Sequence, residues 1–251
     1  MAELAETLDS LHIEPQRRLQ LVVVASTLMQ NNHECVIAWS VQEQGLIRPI
    51  TNLVTNGWIF GTFKVGQVYW FVILDSNPSK AIWPNKSEDT IVQINPVPVN
   101  TVGTRPVPVR YTKSEMYNML FGPSVRSVFN VFAPGVIHKG KYIIEGTECP
   151  SVGILQCNLS DIMMFKNPFN MSATRCWIFQ VFDFLVKAQN QDALLKSLNG
   201  RPANAPVLVL LGLGRPFASA GVNVYNPRRC HILVIGVITC RVEDDGKPRG
   251  K

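Results

Sequence analysis

Along most of the chain, apolar residues fall in short runs broken by polar turns, not at helical spacing. LQLVVVAST (19–27) is a β-branched run that suits a buried strand. The polar turn Gln30-Asn31-Asn32-His33 leads into CVIAWSV (35–41), a second strand, and the two are expected to neighbour one another as a hairpin with a longer loop. In QVYWFVILD (67–75), Val68, Trp70, Val72 and Leu74 share one face and Tyr69, Phe71 and Ile73 the other. Both faces are apolar, which predicts a strand that is central or lies under a second layer, with Trp70 in the core. In the second half, SVFNVFAPG, KYIIEG, GILQCNL, TRCWIFQVFDFLV, APVLVLLGLGRPF and RRCHILVIGVITC read as further strands.

Helical signals are few. Residues 2–12 place Leu4, Leu8 and Leu11 on one face, and Pro15 closes that helix. Thr112-Lys-Ser-Glu115 is a capping box opening the short helix EMYNMLF, with Gly122 at its end. DALLKSLNG (192–200) reads as another short helix with a glycine stop. NPVPVNTVGTRPVPVR (95–110) alternates Pro with Val, so it is an extended connector or sheet edge, neither helix nor central strand. The predicted organisation is all-β with short accessory helices, in two small barrels or sandwiches. An accessory helix (1–18) precedes a first barrel with its Pro-rich connector (19–110). A second barrel (111–242) and a disordered tail (243–251) follow.

Composition narrows the class. The 251 residues are 46% hydrophobic and 17% charged, an ordinary globular balance. No basic leader precedes an apolar core at the start, and the runs Leu21–Ala25, Val207–Leu211 and Ile232–Ile238 are too short to span a bilayer. An intracellular protein, cytoplasmic or nuclear, with no membrane association is expected. The six cysteines (35, 149, 157, 176, 230, 240) are then thiols in or near the core, and without CxxC spacing they predict no zinc site.

Four stretches line up in order: LVVVAS, ECVIAWSVQEQGLIRPI, KVGQVYWFVIL, and VLVLLGLGRPF followed by RRCHILVIGVI. In this order they resemble the dual OB-fold-containing domain family over roughly residues 19–242. Leu46 stands where that family has Trp before Ile-Arg-Pro, and Arg215 where it has Glu before Pro-Phe. The resemblance implies two OB-like barrels and an interaction with nucleic acid or a modified nucleotide.

Candidate chemistry centres on arginines and tryptophans. Arg48 in GLIRPI and Arg215 in GLGRPF each sit against a proline beside an apolar run. Two readings stand side by side: a guanidinium at a barrel mouth that takes a phosphate or stacks on a base, or an arginine capping carbonyls where a strand ends. In either case the two are expected at matching places in two similar halves. Arg105-Pro106 and Arg201-Pro202 show that the dipeptide alone is not a motif. Trp58 near Lys64, and Trp83 between Lys80 and Lys86, lie in loop-like segments, which favours exposure and base stacking; a lid over the barrel end is the alternative for Trp83. Arg201, Arg215 and the doublet Arg228-Arg229 complete the basic candidates, and the net charge of +6 permits a polyanion partner.

Gly212-x-Gly214 is not a dinucleotide fingerprint, because Phe217 replaces the third glycine and Pro216 sits in the turn. No nucleophile–base–orienter spacing, GxSxG or HExxH is present, so no catalytic residue and no cofactor is assigned. The leading expectation is a non-catalytic binding module for single-stranded nucleic acid or a nucleotide-like anion. The alternative is a protein–protein adaptor in a larger intracellular complex.

Overall fold

The computed structural model describes residues 17–28, 33–51, 58–59, 61–75, 89–92, 97–102, 107–167, 170–186, 198–214, 216 and 228–240. The expected helices at 2–12 and 192–200 and the tail lie outside the described residues or almost wholly so. The described chain is strand-rich, and the all-β class holds.

The first sheet is built from β1 (Arg18–Leu28), β2 (His33–Ser40), β3 (Gly45–Thr51), β4 (Trp58–Ile59), β5 (Val68–Asp75), β6 (Asp89–Val92) and β7 (Val97–Pro98). Its order is β1-β2-β3-β6-β5-β7, and β1 also pairs with β5. Helices α1 (Lys113–Phe121) and α2 (Val128–Phe132) follow. The second sheet comprises β8 (Tyr142–Ile144), β9 (Val152–Asn158), β10 (Ile162–Asn167), β11 (Asn170–Ile178), β12 (Phe182–Val186), β13 (Pro206–Leu213) and β14 (Arg229–Thr239), in the order β10-β11-β12-β14-β13-β9 with β8 on β14.

The two sheets share one connectivity. β3 runs parallel to β6, and β12 parallel to β14. The other neighbours in these paths are antiparallel, including β1 with β5 and β9 with β13. A single 3-10 turn, Leu159–Asp161, links β9 to β10, so together they take the place that β1 holds in the first sheet. Neither sheet is a continuous barrel. β6 meets β5 at only two register positions, Ile73↔Val92 and Asp75↔Ile91, across a bulge. β9 and β10 are joined by the turn and not by a ladder.

Strand alternation explains three cores. In β1, Leu19, Leu21 and Val23 face the first sheet's own interior with Phe71 and Tyr69. Val22 and Val24 face the other way, into a core shared with the second sheet. β13 behaves likewise: Val207, Val209 and Leu211 point into the second sheet's interior, and Leu208 and Leu210 into the shared core. Met116, Tyr117 and Leu120 of α1 fill the same seam. Strands apolar on both faces are thus buried on both faces, as a covered strand requires. The Pro-Val stretch lies against the first sheet as an edge: β7 pairs with β5, and the Val109 and Tyr111 amides donate to the Val99 and Gly66 carbonyls.

The capping box forms as expected. Thr112 Oγ1 accepts from the Glu115 amide at 3.2 Å, and Glu115 Oε2 accepts from the Thr112 amide at 2.6 Å. Two other expectations are corrected. SVFNVFAPG contains a helix, α2, not a strand: Val128, Val131 and Phe132 at i, i+3 and i+4 make one buried stripe. TRCWIFQVFDFLV is not one strand but the hairpin β11–β12. Phe179 and Gln180 have φ of 52° and 59°, the paired positive values of a tight hairpin turn.

Candidate ligand-binding surface

The residues expected to contact a ligand separate once placed. Arg48 lies inside β3, not at a strand end, and is 7% exposed. It is opposite Asp89 in the parallel register. The antiparallel ladder with β2 ends at Ile47, just before the pair, but Pro49 continues the strand in its parallel pairing with β6, so the pair ends one ladder without ending the strand. Trp58 is 4% exposed and corrects the expectation of a loop platform. Its indole Nε1 donates to the Pro49 carbonyl at 2.9 Å, and its ring meets Phe63 edge-on at 4.9 Å. Trp70, expected in the core, is 36% exposed instead, because β5 extends past the shared core that covers Val68.

Lys64 is exposed in the turn before β5, and its backbone amide donates to the Tyr69 hydroxyl at 3.2 Å. Arg201 is half-buried and donates to the Cys240 carbonyl at 2.7 Å, which ties the loop before β13 to the end of β14. Trp83, Lys86 and Arg215 lie outside the described residues. In chain order, however, Trp83 and Lys86 fall between β5 and β6, and Arg215 between β13 and β14, which are equivalent connections in the two sheets. Arg48 and Arg215 therefore do not occupy matching places.

Arg229 opens β14, Arg228 directly precedes it, and both belong to a polar cluster. Arg228 Nε contacts Glu145 Oε2 at 2.5 Å, and the Arg229 guanidinium lies 4.8 Å from the Tyr142 ring centroid. The His138 ring stacks on Tyr142 with centroids 5.7 Å apart, and His231 meets Tyr142 edge-on at 5.9 Å. Burial lowers the pKa of His231, and the nearby Arg175, Arg229 and Lys141 charges lower it further.

That cluster continues onto a face that the sequence reading did not single out. In β11, Thr174, Cys176 and Ile178 are buried, so Arg175 and Trp177 point outward. The ladder sets two rows across the outer face. One is Met163–Trp177–Asp183 and the other Phe165–Arg175–Leu185, the latter continuing to Leu233 of β14. Trp177 is 40% exposed and Met163 is also exposed, while Phe165 meets the Trp177 ring edge-on at 4.7 Å. Asp183 is held from two sides. Arg175 Nε donates to Oδ1 at 2.5 Å, and Lys141 Nζ lies 3.2 Å from Oδ2. Burial alone would raise the Asp183 pKa, but the hydrogen bonds from Arg175 and Lys141 outweigh it and leave the carboxyl below its ordinary range.

The signal for this face was present in T-R-C-W-I-F, whose strict alternation puts Arg and Trp on one side and Cys and Ile on the other. What hid it was the missing turn: with β11 and β12 read as one strand, Asp183 had no way to lie opposite Trp177.

The equivalent face of the first sheet is closed. Ile37 and Trp39 of β2 are buried in the shared core, with Cys35 and Leu46 packed against it. Among the described residues, no three His, Cys, Asp or Glu converge as a metal site, and no helix is long and apolar enough to cross a membrane. No protein-family model matches the chain, and no curated protein matches its sequence.

Proposed function

We propose that the protein binds single-stranded nucleic acid on the outer face of β10, β11 and β12, as a non-catalytic module. The observation that carries this reading is the solvent-exposed Trp177, set against Phe165 and flanked on the same face by Arg175 and Lys141. Unpaired bases stack on such rings whatever their identity, and nearby cations follow the phosphate backbone. A duplex would offer the ring no base plane.

Topology supports the same reading. Each sheet has a first strand beside the second and fourth, and a third strand parallel to the fifth. We read this as an OB-like Greek-key order; in OB folds ligands lie on the second and third strands between the first–second and fourth–fifth loops. β11 and β12 are those strands in the second sheet. Arg215 falls in its fourth–fifth connection, directly after Gly214, whose amide donates to the His231 carbonyl at 2.9 Å. Trp83 and Lys86 fall in the corresponding connection of the first sheet. The net charge of +6 favours the association.

Fluorescence anisotropy with labelled single-stranded RNA and DNA, at low and physiological salt, tests the proposal. Affinity should fall with added salt. Trp177→Ala should weaken binding by about 5- to 150-fold, the loss expected from about 1–3 kcal/mol of stacking. Absence of binding at low salt, or an unchanged affinity in Trp177→Ala, refutes it. Arg48→Ala should leave the salt dependence unchanged, because that side chain is buried in β3.

A further inference from the structure

The register of β11 and β12 carries a sharper statement, which rests on the binding face just described. Trp177 and Asp183 are directly opposite in the antiparallel ladder and project from the same face. Such pairs hold their Cβ atoms about 4.5–5.5 Å apart. A planar group stacked on the indole therefore presents its edge to the carboxylate. We propose that Asp183 selects guanine, whose adjacent N1–H and N2–H donors pair with the two carboxylate oxygens while the ring stacks on Trp177.

Three features of the site lead there. First, the carboxylate is an acceptor only. Each oxygen already accepts one contact, Oδ1 from Arg175 and Oδ2 from Lys141. An ionised carboxylate has about four lone-pair sites, so one remains on each oxygen. Two parallel acceptors match a ligand edge with two neighbouring N–H donors. Among the common bases only guanine has that edge; adenine, cytosine and uracil each offer a single N–H site beside acceptors. Second, the two cations hold Asp183 in position before any ligand arrives, and its side chain keeps 17% exposure, enough to be reached at its rim. Third, the cations decide between ligands of like shape. An arginine side chain of a partner protein also presents two parallel N–H donors and stacks on tryptophan. It would arrive as a third positive charge beside Arg175 and Lys141, with Arg229 and His231 near. Guanine is neutral, and its attached phosphate is attracted by the same groups.

The test uses the full chain and nine-residue RNAs of uridine carrying one central G, A, C, U or inosine, read by anisotropy. The central-G oligomer should bind about fivefold or more tightly than the others, the lower end of discrimination for a bidentate pair because the site is half open to water. Inosine keeps N1–H but lacks the 2-amino group, so it should lose most of that advantage without any change to the protein. Asp183→Asn should bind all five oligomers equally and retain affinity for the uridine tract. Equal wild-type binding of G and inosine overturns the guanine assignment and leaves the stacking face standing. Binding of none of the RNAs overturns both. Displacement of bound RNA by a short arginine peptide more effectively than by GMP overturns the assignment in favour of a protein ligand.

Discussion

Leu210→Ala tests whether the two sheets form one folding unit. Leu210 is fully buried in β13, opposite Ile154 on one side and Gly236 on the other. A Cβ built on Gly236 would lie 3.1 Å from Leu210 Cδ1 and 3.7 Å from the Ala25 Cβ. Leu210 thus fills the seam where β14 passes β1. Removing its side chain loses the transfer free energy and opens a cavity, together about 3–5 kcal/mol for a leucine whose surroundings do not collapse. Here they are ladder-bonded strands on both sides, which cannot close the gap without breaking register, so the upper half of that range applies. For a chain of this size each kcal/mol shifts Tm by about 2–4 °C. The expected drop is roughly 8–20 °C. Differential scanning calorimetry should show one endotherm that moves as a whole. Leu21→Ala, in the first sheet's own core, should move that same endotherm. Two endotherms, with Leu210→Ala shifting only one, would show that the shared core does not couple the sheets.

Two further outcomes follow from burial of titratable groups. His231 and Asp183 both have pKa values lowered by the fold, so the unfolded chain binds more protons and stability should fall with acidification. The loss should begin as pH drops through the ordinary imidazole value of 6.5 and resume below the ordinary carboxyl value of 3.8, measured as urea midpoints across pH; His231→Gln should flatten the upper step, and an unchanged profile would refute its assignment. Burial pushes the Cys157, Cys176 and Cys230 thiols up to about 12, whereas Cys35 and Cys240 are half-buried. Native alkylation at pH 8 followed by mass spectrometry should label Cys35 and Cys240 before the four buried thiols, and rapid labelling of Cys157, Cys176 and Cys230 would contradict the placement of β9, β11 and β14.

The strands that carry the cores were legible because their chemistry leaves little choice. LQLVVVAS is apolar at every position but Gln20 and Ser26, VLVLLGL carries no polar side chain, and a strand apolar on both faces needs a layer on each side. The boundaries that decide the site were not legible. The Phe179–Gln180 turn has no Gly, Asn or Asp to mark it, and its positive φ values are imposed by the ladders on either side. Trp58 and Trp70 exchanged expected environments for a similar reason. Gly-flanked TNGWIFG looks like a loop, but tertiary packing recruits the Trp58 ring into the cluster of Phe63 and Phe71. Trp70 sits in a strand that is apolar on both faces, yet outside the reach of the shared core. The Arg-Pro pairs misled most directly. The β2 ladder ends at Ile47, so Pro49 breaks no pairing on that side, while the parallel pairing with β6 carries Arg48 on into the sheet.

Trp39 and Trp177 show why only one of two similar units keeps an open face. Each is the penultimate residue of the second strand in its sheet. Around Trp39, the outward positions are Cys35, Ile37 and Leu46, and burying that patch against α1 and β14 removes apolar surface from water without stranding a charge. Around Trp177, the outward positions include Arg175 and Asp183, with Lys141 reaching in. Covering this patch with an apolar layer would desolvate three charges whose mutual pairing compensates only in part. The same tryptophan position therefore joins the sheets on one side and stays exposed on the other. An exposed ring with Met163 and Phe165 on one side and paired charges on the other is poorly suited to a wholly apolar partner. It is well suited to a flat ligand that carries its own polar edge and an anionic backbone.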